Sequence, residues 1–218
     1  MEAGTTQAGG APRYPVEFSV DYPDRDLNRL TTGFRLIWAI PIAIVLATLS
    51  GEHAAGYEYG QYWHFGAALG GGLFLGPLLM ILFRRKYPRW WFDWNLELLR
   101  FQNRVGVYFA LLDDRYPSTD ERQSVQLDFP YPDAERDLNR WLPLVKWFLA
   151  IPHYFVLIFL WVASVVCVIF AWFAILFTGR YPQGLFEFVV GVIRWGNRVL
   201  GYAFLLVTDE YPPFRLEP

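Results

Sequence analysis

The chain has 218 residues, a formal net charge of −2, 54% apolar residues and 19% aromatic residues, with 10 Trp, 13 Tyr and 19 Phe. That balance is too apolar and aromatic for an ordinary soluble domain, and it lacks the basic footprint of a nucleic-acid binder. The single cysteine, Cys167, rules out an internal disulfide and reads as a packing residue.

In chain order, residues 1–14 carry Gly, Ala, Thr and Gln without a cationic, then apolar, leader pattern, and read as a flexible tail. Val16, Phe18, Val20 and Tyr22 then alternate with polar residues, the spacing of a half-buried strand. The same alternation returns at Val125, Leu127, Phe129 and Tyr131. Two such strands can pair antiparallel across a pseudo-twofold axis, but a lone ribbon must rest on helices.

The recurrence extends further. Asp24-Arg25-Asp26-Leu27-Asn28-Arg29 returns as Glu135-Arg136-Asp137-Leu138-Asn139-Arg140, and Ala39-Ile40-Pro41 as Ala150-Ile151-Pro152, both at an offset of 111. Lys86-Tyr87-Pro88 returns as Arg180-Tyr181-Pro182 at an offset of 94. Such self-similarity predicts a tandem duplication, with units at 15–118 and 124–214. The fall from 111 to 94 leaves 17 extra residues in the first unit, where a Gly-rich polar insert divides two apolar arms, 34–50 and 62–83.

Residues 147–177 carry no Asp, Glu, Lys or Arg, and 36–83 carry only Glu52 and Glu58. Uncharged apolar runs of this length read as membrane-spanning. The second unit holds 37 residues from Leu142 to Thr178, roughly 55 Å as one helix against a hydrocarbon core of about 30 Å. Homology with the first unit favours a hairpin, 142–162 and 164–178, turning near Ala163-Ser164; one strongly tilted helix is the alternative. Pro41 and Pro152 are expected to kink the arms. Gly66, Gly70, Gly71, Gly72 and Gly76 form a small-residue face for close helix packing. All 19 Lys and Arg lie outside 36–83 and 147–179. Arg35, Arg84, Arg85, Lys86, Lys146 and Arg180 stand at the ends of the arms, which by the positive-inside rule face the cytoplasm. The expected fold is therefore mainly α and integral to the membrane. Each unit is a short β-strand, a transmembrane helical hairpin and an amphipathic interfacial helix. That makes four spans with both termini cytoplasmic.

The interfacial helices are predicted at 92–112 and 186–206. Asp93, Glu97, Arg100 and Arg104 share one helical face in the first, and Glu187, Arg194 and Arg198 keep it in the second. Catalytic chemistry is not evident. His53, His64 and His153 have no metal-ligand spacing, and no phosphate loop, serine elbow or dinucleotide fingerprint occurs. His153 reads as a hydrogen-bonded structural residue. No catalytic residue, metal or cofactor is expected. The remaining polar signal is a duplicated constellation: Asp26, Asn28, Arg29 with Arg100, Asn103, Arg104, and Asp137, Asn139, Arg140 with Arg194, Asn197, Arg198. One reading is an ion-pair network pinning the interfacial helix to the hairpin. The other is an anionic lipid headgroup site, since the arginine fork suits phosphate.

The segments DLNR…LAIPHYFVLIFL, AWFAILFTGRYPQGLFEFVVGVIRWGNRV and LLVTDEYPPF resemble a bacterial membrane family, the domain of unknown function 4389 family. The second unit resembles it closely and the first as a diverged copy, with Phe83-Arg84-Arg85-Lys86-Tyr87-Pro88 where the second has Phe177-Thr178-Gly179-Arg180-Tyr181-Pro182. The resemblance implies a bacterial inner-membrane protein and supplies no activity. The functional expectation is a non-enzymatic accessory or scaffold subunit of a membrane assembly, with membrane lipids and a membrane protein partner or a second copy as its contacts and no nucleic acid. The alternative is a lipid-binding or lipid-moving protein.

Overall fold

The computed structural model describes residues 14–23, 25–42, 44–45, 75–119, 121 and 123–218. The first-unit insert, residues 43 and 46–50 of the first arm, residues 62–74 of the second, Asp24, and with them His53, His64 and Gly66 to Gly72, lie outside the described residues. Described are strand β1 (Glu17–Val20), short helices α1 (Arg29–Gly33) and α2 (Arg35–Trp38), helix α3 (Leu75–Arg84) and helix α4 (Arg89–Phe109). Strand β2 (Val125–Asp128), α5 (Pro143–Leu149), α6 (Ile151–Thr178) and α7 (Gln183–Ala203) follow. The described structure is mainly helical with one small sheet.

β1 and β2 pair antiparallel, with Phe18 opposite Leu127 and Val20 opposite Val125. The alternation works as expected: Phe18, Val20, Val125 and Leu127 are buried, and Glu17, Ser19, Gln126 and Asp128 are exposed. The buried face rests on α4 and α7 in one continuous core with Phe92, Leu96, Phe186, Val189 and Val190. That support is what a two-stranded ribbon needs in order to persist.

α4 and α7 begin three residues before the predicted starts. Pro88 and Pro182 occupy their N-cap positions in extended conformation, with ψ of 127° and 125°. Proline has no N–H to lose there and already holds the φ a helix start requires. Beyond their ends, Leu111 (φ 64°) and Leu206 (φ 58°) turn left-handed. Both helices are predicted as interfacial with one charged face, and both contribute heavily to the core. Eleven residues of α4 and thirteen of α7 are buried, including Asn103, Arg104, Asn197 and Arg198.

The second unit does not turn near Ala163-Ser164. α6 runs unbroken for 28 residues, about 42 Å. Neither glycine nor proline interrupts 153–178, so nothing local favours leaving the helix, and it stops at Gly179 (φ 79°), a common helix terminator. The chain breaks earlier instead, at Ala150, and Pro152 sits in the first turn of α6. Buried His153, Leu157, Ser164, Ala171 and Ile175 form a stripe along its whole length, and α7 returns beside it.

The boundary of the predicted tail moves as well. Tyr14 is buried, and its hydroxyl donates to the Glu210 carbonyl at 3.0 Å. Of the predicted small-residue face, Gly76 is described. A Cβ there would lie 2.6 Å from Trp91, so the glycine admits that indole within the same chain.

Candidate functional site

The twelve polar residues singled out by the sequence do not gather into two constellations. Asp26 pairs with Arg180 at 2.8 Å, on the surface. Asn28 caps α1, accepting from the amides of Leu30 and Thr31 at 3.0 and 3.3 Å. Arg29 lies against Gly179. Asp137 accepts from the Asp133 amide at 2.9 Å, and Asn139 from the Trp141 amide at 2.9 Å. Arg140 donates to the Leu82 carbonyl. None of these six is joined by a hydrogen bond or ion pair to the helix arginines among the described residues.

The helix arginines serve another purpose. Arg194 Nε donates to the Phe18 carbonyl at 2.8 Å, and Arg100 Nε to the Leu127 carbonyl at 2.9 Å. Two arginines, one per helix, thus hold two residues that face each other across the ribbon. Arg194 also reaches the Leu216 carbonyl, Arg198 those of Arg215 and Glu217, and Arg104 that of Ser118. Among the described residues, Arg100 alone of the four adds carboxylates, Glu97 and Asp128, at 2.6 and 3.1 Å. In place of the expected ion-pair network the helix arginines mostly anchor backbone carbonyls, those of the ribbon, of Ser118 and of the C-terminal segment. Burial holds the Arg194 and Arg198 guanidiniums below the ordinary arginine range, with neighbouring Arg215 and Arg194 adding to the effect at Arg198.

Two cations read from sequence as exposed membrane flanks are interior. Lys146 is fully buried; its Nζ lies 2.6 Å from Asp209 Oδ1 and donates to the Thr208 carbonyl at 2.7 Å, with the Tyr202 ring beneath it. Arg35 donates to the carbonyls of Tyr108 and Asp113, both at 2.7 Å, over the Tyr108 ring. Burial lowers the Lys146 pKa, and hydrogen bonding and charge from Asp209 oppose that shift. The signal was present in the sequence: Arg35 and Lys146 are themselves separated by 111 residues.

His153 is a buried structural residue. Trp195 Nε1–H donates to its Nδ1 at 3.0 Å, and Phe214 stacks on the ring at 4.0 Å. Cys167 is half-buried against the core.

Where α4 and α7 cross, Asn103 and Asn197 bond to each other. They form the floor of a cavity of about 700 Å³ whose walls come from α4, α6 and α7. The walls are apolar, with Leu157, Val168 and Ile193 among them. Both hydroxyl-bearing residues of the lining, Ser164 and Tyr154, have a buried hydroxyl with no hydrogen-bond partner among the described residues. The sequence reading did not single out either group, because a serine and a tyrosine in an apolar run carry no pattern of their own.

Residues 141–215 match the model of a domain of unknown function, DUF4389. No curated protein and no solved structure matches the chain. The DUF4389 segment contains α5, α6 and α7, and with them the Lys146–Asp209 pair, His153, Ser164 and Arg194, one of the two arginines that clasp the ribbon; Arg100 lies outside it. The Asn103 half of the cavity floor and the α4 wall lie outside it.

Proposed function

We propose that the protein is a non-enzymatic accessory or scaffold subunit held at the bacterial inner membrane, built as a tandem duplication and contacting lipid together with a membrane protein partner or a second copy. One observation carries this reading, the uncovered outer face of α6. Phe155, Ile158, Phe159, Val162, Phe170 and Phe177 are each 61% or more exposed, and only 17% of the helix's most apolar stretch is buried. The helix is long and apolar enough to cross a membrane. At about 25 cal/mol per Å², such a face left in water opposes solubility strongly. Lipid tails or a partner's helices remove the penalty.

The packing of α6 favours a lie along the membrane over a crossing. Its buried stripe runs end to end beside α7, and α7 carries the ribbon through Arg194. A perpendicular α6 would take Glu17, Ser19, Gln126 and Asp128 of the exposed ribbon face into hydrocarbon, where unsatisfied polar groups cost several kcal/mol each, about 4–8 for an amide. With α6 in the interface plane, its phenylalanines enter the acyl region and the ribbon stays in cytoplasmic water. The duplication is supported by paired contacts: Tyr22 donates to the Tyr181 carbonyl and Tyr131 to the Tyr87 carbonyl.

The test is extraction in mild detergent followed by mass spectrometry of co-purifying membrane proteins, with single cysteines at Trp141 and Gly184 in a Cys167→Ala background. The expected result is a reproducible partner or self-association, and labelling of both cysteines from the cytoplasmic face. A solitary chain removes the scaffold role. Labelling from opposite faces removes the in-plane arrangement.

A further inference from the structure

We infer that the cavity between α4, α6 and α7 holds one acyl chain of a membrane phospholipid, with the chain's ester carbonyl accepting a hydrogen bond from Ser164. The inference rests on the membrane reading above. Its first support is size. Ligand pockets run from about 300 to 1,000 Å³, and 700 Å³ admits roughly 20 methylene groups at about 30 Å³ each, the share of one water in the liquid. A partner's helix is a poor alternative: a cylinder about 10 Å across fills that volume within two turns.

The second support is access. Trp161, Val165 and Ile169 line the cavity and are also 45%, 58% and 51% exposed on α6. The mouth therefore opens on the same apolar face that meets lipid, and a hydrocarbon chain can enter without passing through water. A water-soluble ligand would have to cross that rim.

The third support is chemistry. Ser164 is a lining residue, is 3% exposed, and has a buried Oγ with no hydrogen-bond partner among the described residues. A buried hydroxyl without a partner is costly, and an ester carbonyl supplies the missing acceptor. The Asn103 and Asn197 amides already satisfy each other and the Leu99 and Ile193 carbonyls, which leaves the floor polar but closed.

Glycines provide the test. A Cβ at Gly106 would meet nothing within 4 Å, and one at Gly196 only Trp161 at 3.7 Å, so leucine at either position projects into the cavity. The full chain is reconstituted in vesicles of phosphatidylethanolamine and phosphatidylglycerol, extracted in mild detergent and analysed by native mass spectrometry. The expected result is one phospholipid per chain of either headgroup. Gly106→Leu and Gly196→Leu lower retention roughly tenfold, and Ser164→Ala about three- to tenfold. Circular dichroism checks that each variant is folded. Where a glycine variant fails to fold, Ser164→Ala decides alone, and unchanged retention overturns the inference. So does a wild-type chain that sediments with membranes yet retains no phospholipid. A wild-type chain found in the soluble fraction instead removes the membrane reading itself.

Discussion

Asn103 and Asn197 exchange hydrogen bonds side chain to side chain: Nδ2 of Asn103 donates to Oδ1 of Asn197 at 3.0 Å, and Nδ2 of Asn197 to Oδ1 of Asn103 at 2.7 Å. Each Nδ2 also donates to a carbonyl four residues back on its own helix. The pair is buried, so both amides have lost water and recovered it from one another. This is the point where α4 and α7 are fixed in register.

Removing one partner strands the other. Asn103→Ala is expected to destabilise the fold by about 1–3 kcal/mol, the cost of an unsatisfied buried amide. The Asn103→Ala, Asn197→Ala double variant should lose less than the sum of the two singles. Chemical denaturation in detergent, run as a double-mutant cycle, measures the coupling; additive losses would show that the two side chains do not communicate.

Lys146 and Asp209 should show a pH-dependent penalty. Asp209→Asn leaves a fully buried ammonium without its counter-ion, which costs about 3–5 kcal/mol in an interior pair; the low end is expected because Asp209 is 22% exposed. The folded-state pKa of Lys146 lies below its ordinary value, so between the two values the unfolded chain binds more protons and stability rises with pH. In Asp209→Asn that window extends to lower pH, since the opposing contribution of Asp209 is gone. Melting temperatures from neutral to alkaline pH should therefore converge between variant and wild type, and parallel curves would count against the pair.

The ribbon depends on its two arginines unequally. Arg194 serves two carbonyls, at 2.8 and 2.7 Å, whereas Arg100 serves one and shares its charge with exposed carboxylates. Hydrogen bonds from charged groups are worth about 1.5–3 kcal/mol, while exposed ion pairs add about 0–1. Arg194→Gln should therefore loosen the ribbon more than Arg100→Gln. Amide hydrogen exchange over 17–20 and 125–128 reads this directly.

Glycines on the same two helices should respond with opposite sign. A Cβ at Gly201 would lie 2.8 Å from Val16 Cγ2, and one at Gly191 would lie 2.9 Å from Leu216 Cβ. Gly201→Ala is expected to destabilise by about 1–3 kcal/mol through overpacking, less the helix gain. Gly106→Ala meets no neighbour and should stabilise by up to about 1 kcal/mol through helix propensity. Thermal melts of the two variants side by side settle the comparison.

Much of this architecture was legible in the residues themselves. The alternation at Val16 to Tyr22 and at Val125 to Tyr131 specifies strands with one buried face, because side chains alternate across a strand whatever it packs on. Pro88 and Pro182 mark the starts of α4 and α7 to within three residues. The uncharged run through α6 specifies apolar helix, because composition alone decides whether an exposed helical face tolerates water, although of its two readings the single unbroken helix is the less favoured.

Tertiary structure decided the rest. The turn expected near Ala163-Ser164 is absent because nothing local breaks the helix and α7 supports it along its full length. Arg35 and Lys146 look like membrane flanks by position, yet both are buried, because Asp209 and the carbonyls that receive them lie more than 60 residues away. Arg100 and Arg194 signal charge but not partner, and the partners proved to be backbone oxygens, which carry no sequence identity. The sequence alone determined which faces are apolar and, to within three residues, where α4 and α7 begin. Which polar groups meet was set by long-range packing, because a hydrogen bond needs its two ends within about 3 Å and only the folded chain brings them there.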